Sequence, residues 1–215
     1  MTRLPLPRAV VALALAAALA ACSPLPAKRT SAQIYTAEPR IAVDETWPRV
    51  TWQLVVVRPV ASQLLDSNRI AVRPRPGQLQ VYRDAVWVES APNLVQNAIL
   101  RGFEDSGRIV AVGRPGTGLR ADYSLSLDLR RFETDYPADG GAPQVRVEIR
   151  ARLLDAVSNQ VLASRTFAAA TPLSDTATPA AVAAFEPTLG QVAQDIVGWT
   201  LVTGEANAQS VMRRR

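Results

Sequence analysis

Cys22 is the only thiol in this 215-residue chain, and there is no histidine. A lone cysteine can act as a nucleophile, a metal ligand, half of a disulfide, or an acylation site. Without histidine, neither a Ser-His-Asp nor a Cys-His arrangement can be assembled. Zinc sites built from His and Cys are excluded for the same reason, and a disulfide has no second cysteine. Lys28 is the sole lysine and follows Cys22 by six residues, a poor setting for Schiff-base or Ser-Lys chemistry. Carboxylates remain. The nearest grouping, Glu133, Asp135 and Asp139, lacks the 12-residue pattern of a calcium loop. No Asp/Glu pair stands out for acid-base work, although a hydrolase would have to draw on residues such as Asp128 and Glu148. The sequence therefore predicts no catalytic residue, no bound metal and no cofactor.

Acylation is the chemistry that fits Cys22. Arg3 and Arg8 precede an apolar run, Ala9–Ala21, of 13 residues, which ends in Leu19-Ala20-Ala21-Cys22. A basic start, a short apolar core and small residues at the cut are the parts of a secretory signal. The run is shorter than the ~20 residues that span a bilayer. An ordinary cleaved signal would have the same outline, but Leu-Ala-Ala-Cys resembles the bacterial lipobox, whose cysteine is lipidated and becomes the first residue of the mature chain. Residues 1–21 are then a signal peptide and Cys22 is the lipidation site. Ser23 follows where an Asp would mark inner-membrane retention, so the expected location is the periplasmic face of the outer membrane. Each buried acyl CH₂ adds about 0.8 kcal/mol of membrane affinity, enough for two or three chains to hold firmly.

Charge excludes another class. The formal net charge is +5, and loss of Arg3 and Arg8 with the leader takes it to +3. Three of the remaining positive charges are Arg213–Arg215, and no basic stripe with interleaved aromatics exists, so nucleic-acid binding has no electrostatic footprint.

The pattern of elements predicts a single α/β domain: a mixed, largely antiparallel β-sheet with amphipathic helices packed on it. Residues 22–49, with Pro24, Pro26, Pro39 and Pro48, read as the lipidated N-terminus and a tether, in which Gln33-Ile34-Tyr35 could form a short edge strand. The domain then spans 50–204, and 205–215 read as a disordered basic tail. Trp52–Val60 is a continuous apolar run of the kind found in strands covered on both faces. Ile70–Val72, Leu79–Tyr82, Ala85–Val88 and Ile109–Val112 are short strands, the first two flanking a Pro/Gly loop at 73–77. Ser90–Ser106 carries Leu94, Val95, Ala98, Ile99, Gly102 and Phe103 on one helical stripe, with Ser90 and Gly107 placed as caps. Gly113–Gly118 is Gly-rich, but a strand rather than a helix follows, which argues for a loop over a nucleotide site. Residues 121–132, 145–153 and 161–169 form an antiparallel meander. Its first strand breaks phase near Arg130-Arg131, as a bulge would. Thr178-Pro179 opens a last helix, 180–202, which Pro187 should kink or split.

In the second long strand Arg146, Glu148, Arg150 and Arg152 alternate with apolar residues and share the outward face. Arginine suits anionic groups and protein interfaces, so Arg146, Arg150 and Arg152 are candidate partner-binding residues. A solvated face, or pairing with Glu148, is the plainer alternative.

The order of these segments resembles the ABC-type transport auxiliary lipoprotein family. The resemblance covers residues 35–200. It runs from Tyr35 through an apolar strand ending in Val-x-Pro-Val, Leu65-Asp66-x-x-Arg69-Ile70, and Tyr82 with Trp87 ahead of the first helix. Asp122-Tyr123-x-Leu125, Arg131-Phe132 and a terminal helix reaching Trp199 complete it. Val81-Tyr82 departs from the adjacent aromatics common in the pattern. The resemblance implies a non-enzymatic lipoprotein that works with an ABC permease, its ATPase and an MCE-domain protein, and docks the transporter at the outer membrane. The cargo class would be a phospholipid or sterol-like lipid. The membrane contact would be the lipid anchor, and a homo-oligomer stays open. An accessory role in outer-membrane assembly or secretion is the alternative.

Overall fold

The computed structural model describes residues 31–214. Its elements are β1 (Gln33–Tyr35), β2 (Val50–Val56), β3 (Val60–Ala61), β4 (Arg69–Arg75), β5 (Gln78–Trp87), α1 (Ala91–Ser106), β6 (Ile109–Gly113), β7 (Tyr123–Asp135), β8 (Gln144–Asp155), β9 (Val161–Pro172) and α2 (Thr178–Arg213). The nine strands form one mixed sheet whose longest ladders, β7–β8 and β8–β9, are antiparallel. Two amphipathic helices pack on it.

Strand β7 organises the sheet. Along one edge it takes β2, β3 and β4 in succession, all parallel, with Val56 opposite Leu125, Val60 opposite Asp128 and Arg73 opposite Asp135. Along the other edge it takes β8 over its full length. The bulge expected near Arg130-Arg131 is there, between Leu129 and Arg131. It puts Phe132 and Thr134 on the inner face and Glu133 and Asp135 on the outer one, because Phe132 lies opposite buried Val147 and Glu133 opposite Arg146.

The run 52–60 is not one strand covered on both faces. After Val57 N–H donates to the Leu125 carbonyl at 2.9 Å, the ladder is interrupted at Arg58-Pro59, where Pro59 has no N–H to donate, and resumes as β3. In β2, Val50, Trp52, Leu54 and Val56 are buried, while Thr51 is exposed and Val55 half-buried. The helices cover only one side of the sheet, so the alternation is one-sided despite the apolar composition. The supposed loop at 73–77 is mostly strand: β4 and β5 form a hairpin turned at Pro76-Gly77, with Gly77 at φ 76°.

Helix α1 buries the whole predicted stripe and ends at Gly107 in the left-handed region, φ 58°. Ser90 makes no side-chain cap; its Oγ accepts instead from Arg58 Nη2 at 3.0 Å. Helix α2 is 36 residues long and is not split. Pro187 and Ala183 are both exposed, so the carbonyl that Pro187 leaves unpaired faces water. The helix continues through Arg213, and residues 205–213, expected as a disordered tail, are helical.

The Pro-rich segment before β2 is a strap over the helices. Ala37, Pro39 and Trp47 are buried, and Ala42 N–H donates to Gln194 Oε1 at 3.1 Å. Glycines in the helices make room for it. A Cβ on Gly102 would come within 3.0 Å of Ile41, one on Gly190 within 3.1 Å of Pro39, and one on Gly198 within 2.6 Å of the Trp47 ring. Gly→Ala in a helix interior normally stabilises by about 1 kcal/mol. Gly198→Ala should do the reverse, costing roughly 1–3 kcal/mol by overpacking. Urea unfolding checks the sign, and a raised midpoint would mean that the strap does not sit in this notch.

Candidate functional site

Cys22 lies outside the described residues. The other candidates sit on the helix-free face of the sheet, and the structure separates them. Arg150 and Arg152 stand two residues apart on β8, opposite Asp128 and Ser126 of β7 and Thr166 and Ser164 of β9. Arg150 Nη2 donates to Ser164 Oγ at 3.1 Å, and its Nε is buried without a partner. Neither arginine makes an ion pair among the described residues. Glu148 is not their counter-ion: it pairs with Arg130 at 3.5 Å, and Arg130 also approaches Asp128 at 3.6 Å. The two carboxylates open to a hydrolase reading are thus bridged by one guanidinium.

Arg146 belongs to a different cluster, at the far end of β7. Arg73 grips Glu133 with two hydrogen bonds, Nε to Oε1 at 2.6 Å and Nη2 to Oε2 at 3.2 Å. Arg146 Nη1 donates to Asp135 Oδ2 at 3.3 Å, and Arg131 lies 3.8 Å from Glu133 and 3.9 Å from Asp135. Glu133 is 1% exposed; a carboxylate so buried needs charged partners, and the arginines supply them. The Glu133 hydrogen bond, and then its charge, hold the Arg73 guanidinium above its already high ordinary pKa. An open groove of about 800 Å³ lies beside the cluster, lined by Arg73, Arg131, Arg146, Tyr136 and the 137–142 turn. Glu133 and Asp135 are therefore structural anions that orient arginines. No group of three or more potential ligands could hold a metal among the described residues.

Sequence reasoning missed Arg73 and Arg131. Arg73 was hidden in a stretch whose prolines read as a loop, and Arg131 at the bulge. The Arg-x-Arg alternation at 73–75 was the available signal. Tyr82, beside this end, is half-buried, and burial pushes its hydroxyl pKa up.

The Leu65-Asp66-x-x-Arg69-Ile70 stretch has a structural task. Leu65 and Ile70 are buried. Asp66 ion-pairs with Arg58, which also donates to Asn93 Oδ1 at 2.7 Å and so ties the loop to the start of α1. The hydrogen bond from Arg58 holds the Asp66 carboxyl below the usual carboxylate range. Arg114-Pro-Gly-Thr-Gly118 is a loop, closed by Thr117 Oγ1 donating to the Arg114 carbonyl at 2.8 Å.

The described residues thus form a mixed sheet with both helices on one side and a charged, arginine-rich face on the other. The chain belongs to the ABC-type transport auxiliary lipoprotein component family, which it matches over residues 33–197. It is 46% identical to protein XCC0632 from Xanthomonas campestris, whose crystal structure superposes with a TM-score of 0.79 over 83% of this chain and 99% of that one. Another crystal structure, of an uncharacterised protein, shares the fold at 14% identity and a TM-score of 0.61, over 78% of this chain and 97% of the other. The uncharacterised protein bll6063 of Bradyrhizobium diazoefficiens is 32% identical over 149 residues, 69% of this chain. The chain spans 39% of that relative's length.

Proposed function

We propose that this lipoprotein is the non-enzymatic, outer-membrane component of an ABC/MCE-type system that moves lipid between membranes, and that it docks the transporter at the periplasmic face. The observation that carries the reading is the family match from Gln33 to Val197, directly behind a Leu-Ala-Ala-Cys acylation signal. Ten residues, 23–32, lie between Cys22 and Gln33, which makes eleven steps along the chain, and an extended chain reaches at most ~3.6 Å per step. The domain is then held within about 40 Å of the bilayer, close enough to fix a partner there but too far to require insertion of the domain itself. No helix among the described residues is long and apolar enough to cross a membrane. The arginine face supplies a recognition surface, with Arg150 and Arg152 as its uncompensated charges.

Replacing Cys22 by Ala should abolish acyl labelling, leave the protein as precursor or soluble periplasmic form, and stop it complementing a deletion strain in a labelled-phospholipid exchange assay. Ser23→Asp should retain the protein at the inner membrane. Palmitate label on the Cys22→Ala protein would refute the anchor. Normal lipid exchange in the deletion strain would refute the transport role.

A further inference from the structure

Strand β9 ends the sheet. Among the described residues it pairs with β8 alone. Its register settles which backbone groups are free. Leu173 N–H donates to the Pro143 carbonyl at 2.8 Å, and Gln144 faces Pro172. Antiparallel ladders alternate hydrogen-bonded and non-hydrogen-bonded pairs. Residues 163, 165, 167, 169 and 171 therefore exchange both bonds with β8, while Ser164, Thr166, Ala168 and Ala170 turn N–H and C=O outward. Pro172 falls in this outward set, where a missing N–H costs the ladder nothing.

Protected edges carry lysines, bulges or covering loops. This one does not. The four outward residues are small and exposed. The single charge in the strand, Arg165, lies on the helix side, its guanidinium 5.2 Å from the centre of the Phe167 ring.

Both flanks of the edge are prepared. On the arginine side, Arg150 leans over β9 to Ser164, and Arg152 stands directly opposite Ser164. On the helix side, a groove of about 450 Å³ runs between β9 and α2, with Phe167, Trp47, Trp199 and Val202 in its wall. Phe167 and Trp199 meet edge to face at 5.6 Å. An added strand sends alternate side chains to opposite faces. One set would lie over Arg150 and Arg152, the other in the aromatic groove. Asp44 and Asp195 line the groove together with Arg165. The wall carries two carboxylates to one guanidinium, against two arginines and no acid among Arg150, Arg152 and Ser164 on the other flank, and that difference sets the phase.

We infer that β9 is a strand-addition site for an extended segment of a partner polypeptide in which acidic and apolar residues alternate. Backbone pairing supplies affinity and the two flanks supply specificity. This rests on the docking role proposed above and names the chemistry of its partner. A second copy fits poorly: antiparallel pairing of two β9 strands brings Arg150 and Arg152 of both copies onto one face, with no acid between them.

The test uses the full lipidated chain in detergent and a blocked ten-residue peptide alternating Glu with Val and Phe. Residue-resolved hydrogen exchange should slow at least tenfold at Ser164, Thr166, Ala168 and Ala170 when the peptide saturates. The same peptide with Lys for Glu should bind at least tenfold more weakly. Thr166→Pro removes an outward N–H but no bond to β8, so it should keep the melting temperature and lose the peptide. Should that variant fold poorly, Arg150→Glu with Arg152→Glu should invert the preference between the two peptides. Protection elsewhere, or none, overturns the inference. So does protection of the four amides without peptide: concentration-dependent protection assigns the edge to a second copy, and concentration-independent protection to another segment of this chain. The assay contains no transporter. Peptide binding alongside normal lipid exchange in the deletion strain would sink the transport reading and leave the edge standing, and the opposite pair of results would do the reverse.

Discussion

Phe185→Ala is expected to lower the stability of the domain by about 3–5 kcal/mol, the usual cost of truncating a fully buried aromatic. Phe185 is 0% exposed. Its ring packs edge to face on Trp87 at 5.0 Å and against Phe132 at 4.8 Å, and Trp87 and Phe132 meet at 5.7 Å. The three rings come from α2, β5 and β7, so the cluster joins the long helix to the centre of the sheet and to the β4–β5 hairpin. Trp87 Nε1 is buried without a hydrogen-bond partner, which leaves packing alone to hold this ring. Domains are stable by only about 5–15 kcal/mol in total, so the loss is a large fraction of the whole. Urea unfolding of the single variant measures it. A change below 1 kcal/mol would mean that α2 is anchored elsewhere.

Among changes that leave the protein anchored, the largest effect on docking is expected from reversing Arg150 and Arg152 together. Arg150→Glu with Arg152→Glu should reduce crosslinking to the transport partner at least tenfold while the protein still folds and reaches its membrane. Neither side chain has an ion pair to lose. The new Glu at 150 would face Asp128 across the ladder, a like-charge pair costing a few tenths of a kcal/mol to about 1 kcal/mol. Arg146 must stay out of this variant. Its partner Asp135 has a side chain only 10% exposed, and reversing Arg146 would place a third carboxylate beside Glu133 and Asp135. Unfolding would then mimic loss of docking. Unchanged crosslinking by the double variant, at wild-type stability, would remove this pair from the docking surface.

Much of this architecture is legible in the residues because periodicity reports burial. The alternation of Val145, Val147, Ile149, Ala151 and Leu153 identifies the inner face of β8, and all five are 0% exposed. The stripe from Leu94 to Phe103 does the same for α1. What the pattern hides is three-dimensional. Pro39 and Trp47 lie in a stretch with linker composition, and only the glycine notches of α1 and α2 turn that stretch into a strap. Pro187 carries a helix-breaking signal, but it falls on the wet side of α2, where water takes up the freed carbonyl. The candidate site was partly legible for the same reason. The outward position of Arg146, Arg150 and Arg152 follows from alternation. That Arg146 is tied to Asp135 while the other two have no carboxylate depends on the bulge at 129–131 and on β4, which brings Arg73 beside β7 from 60 residues away in sequence.

The most direct measurement is a crosslinked pull-down of the full lipidated protein from envelopes, with recovered proteins and lipids identified. An MCE-domain protein, recovered with the wild type and lost with Arg150→Glu/Arg152→Glu, is the predicted result. Recovery of β-barrel assembly or secretion components instead, with no MCE-domain protein and no change on reversing the arginines, would contradict the account.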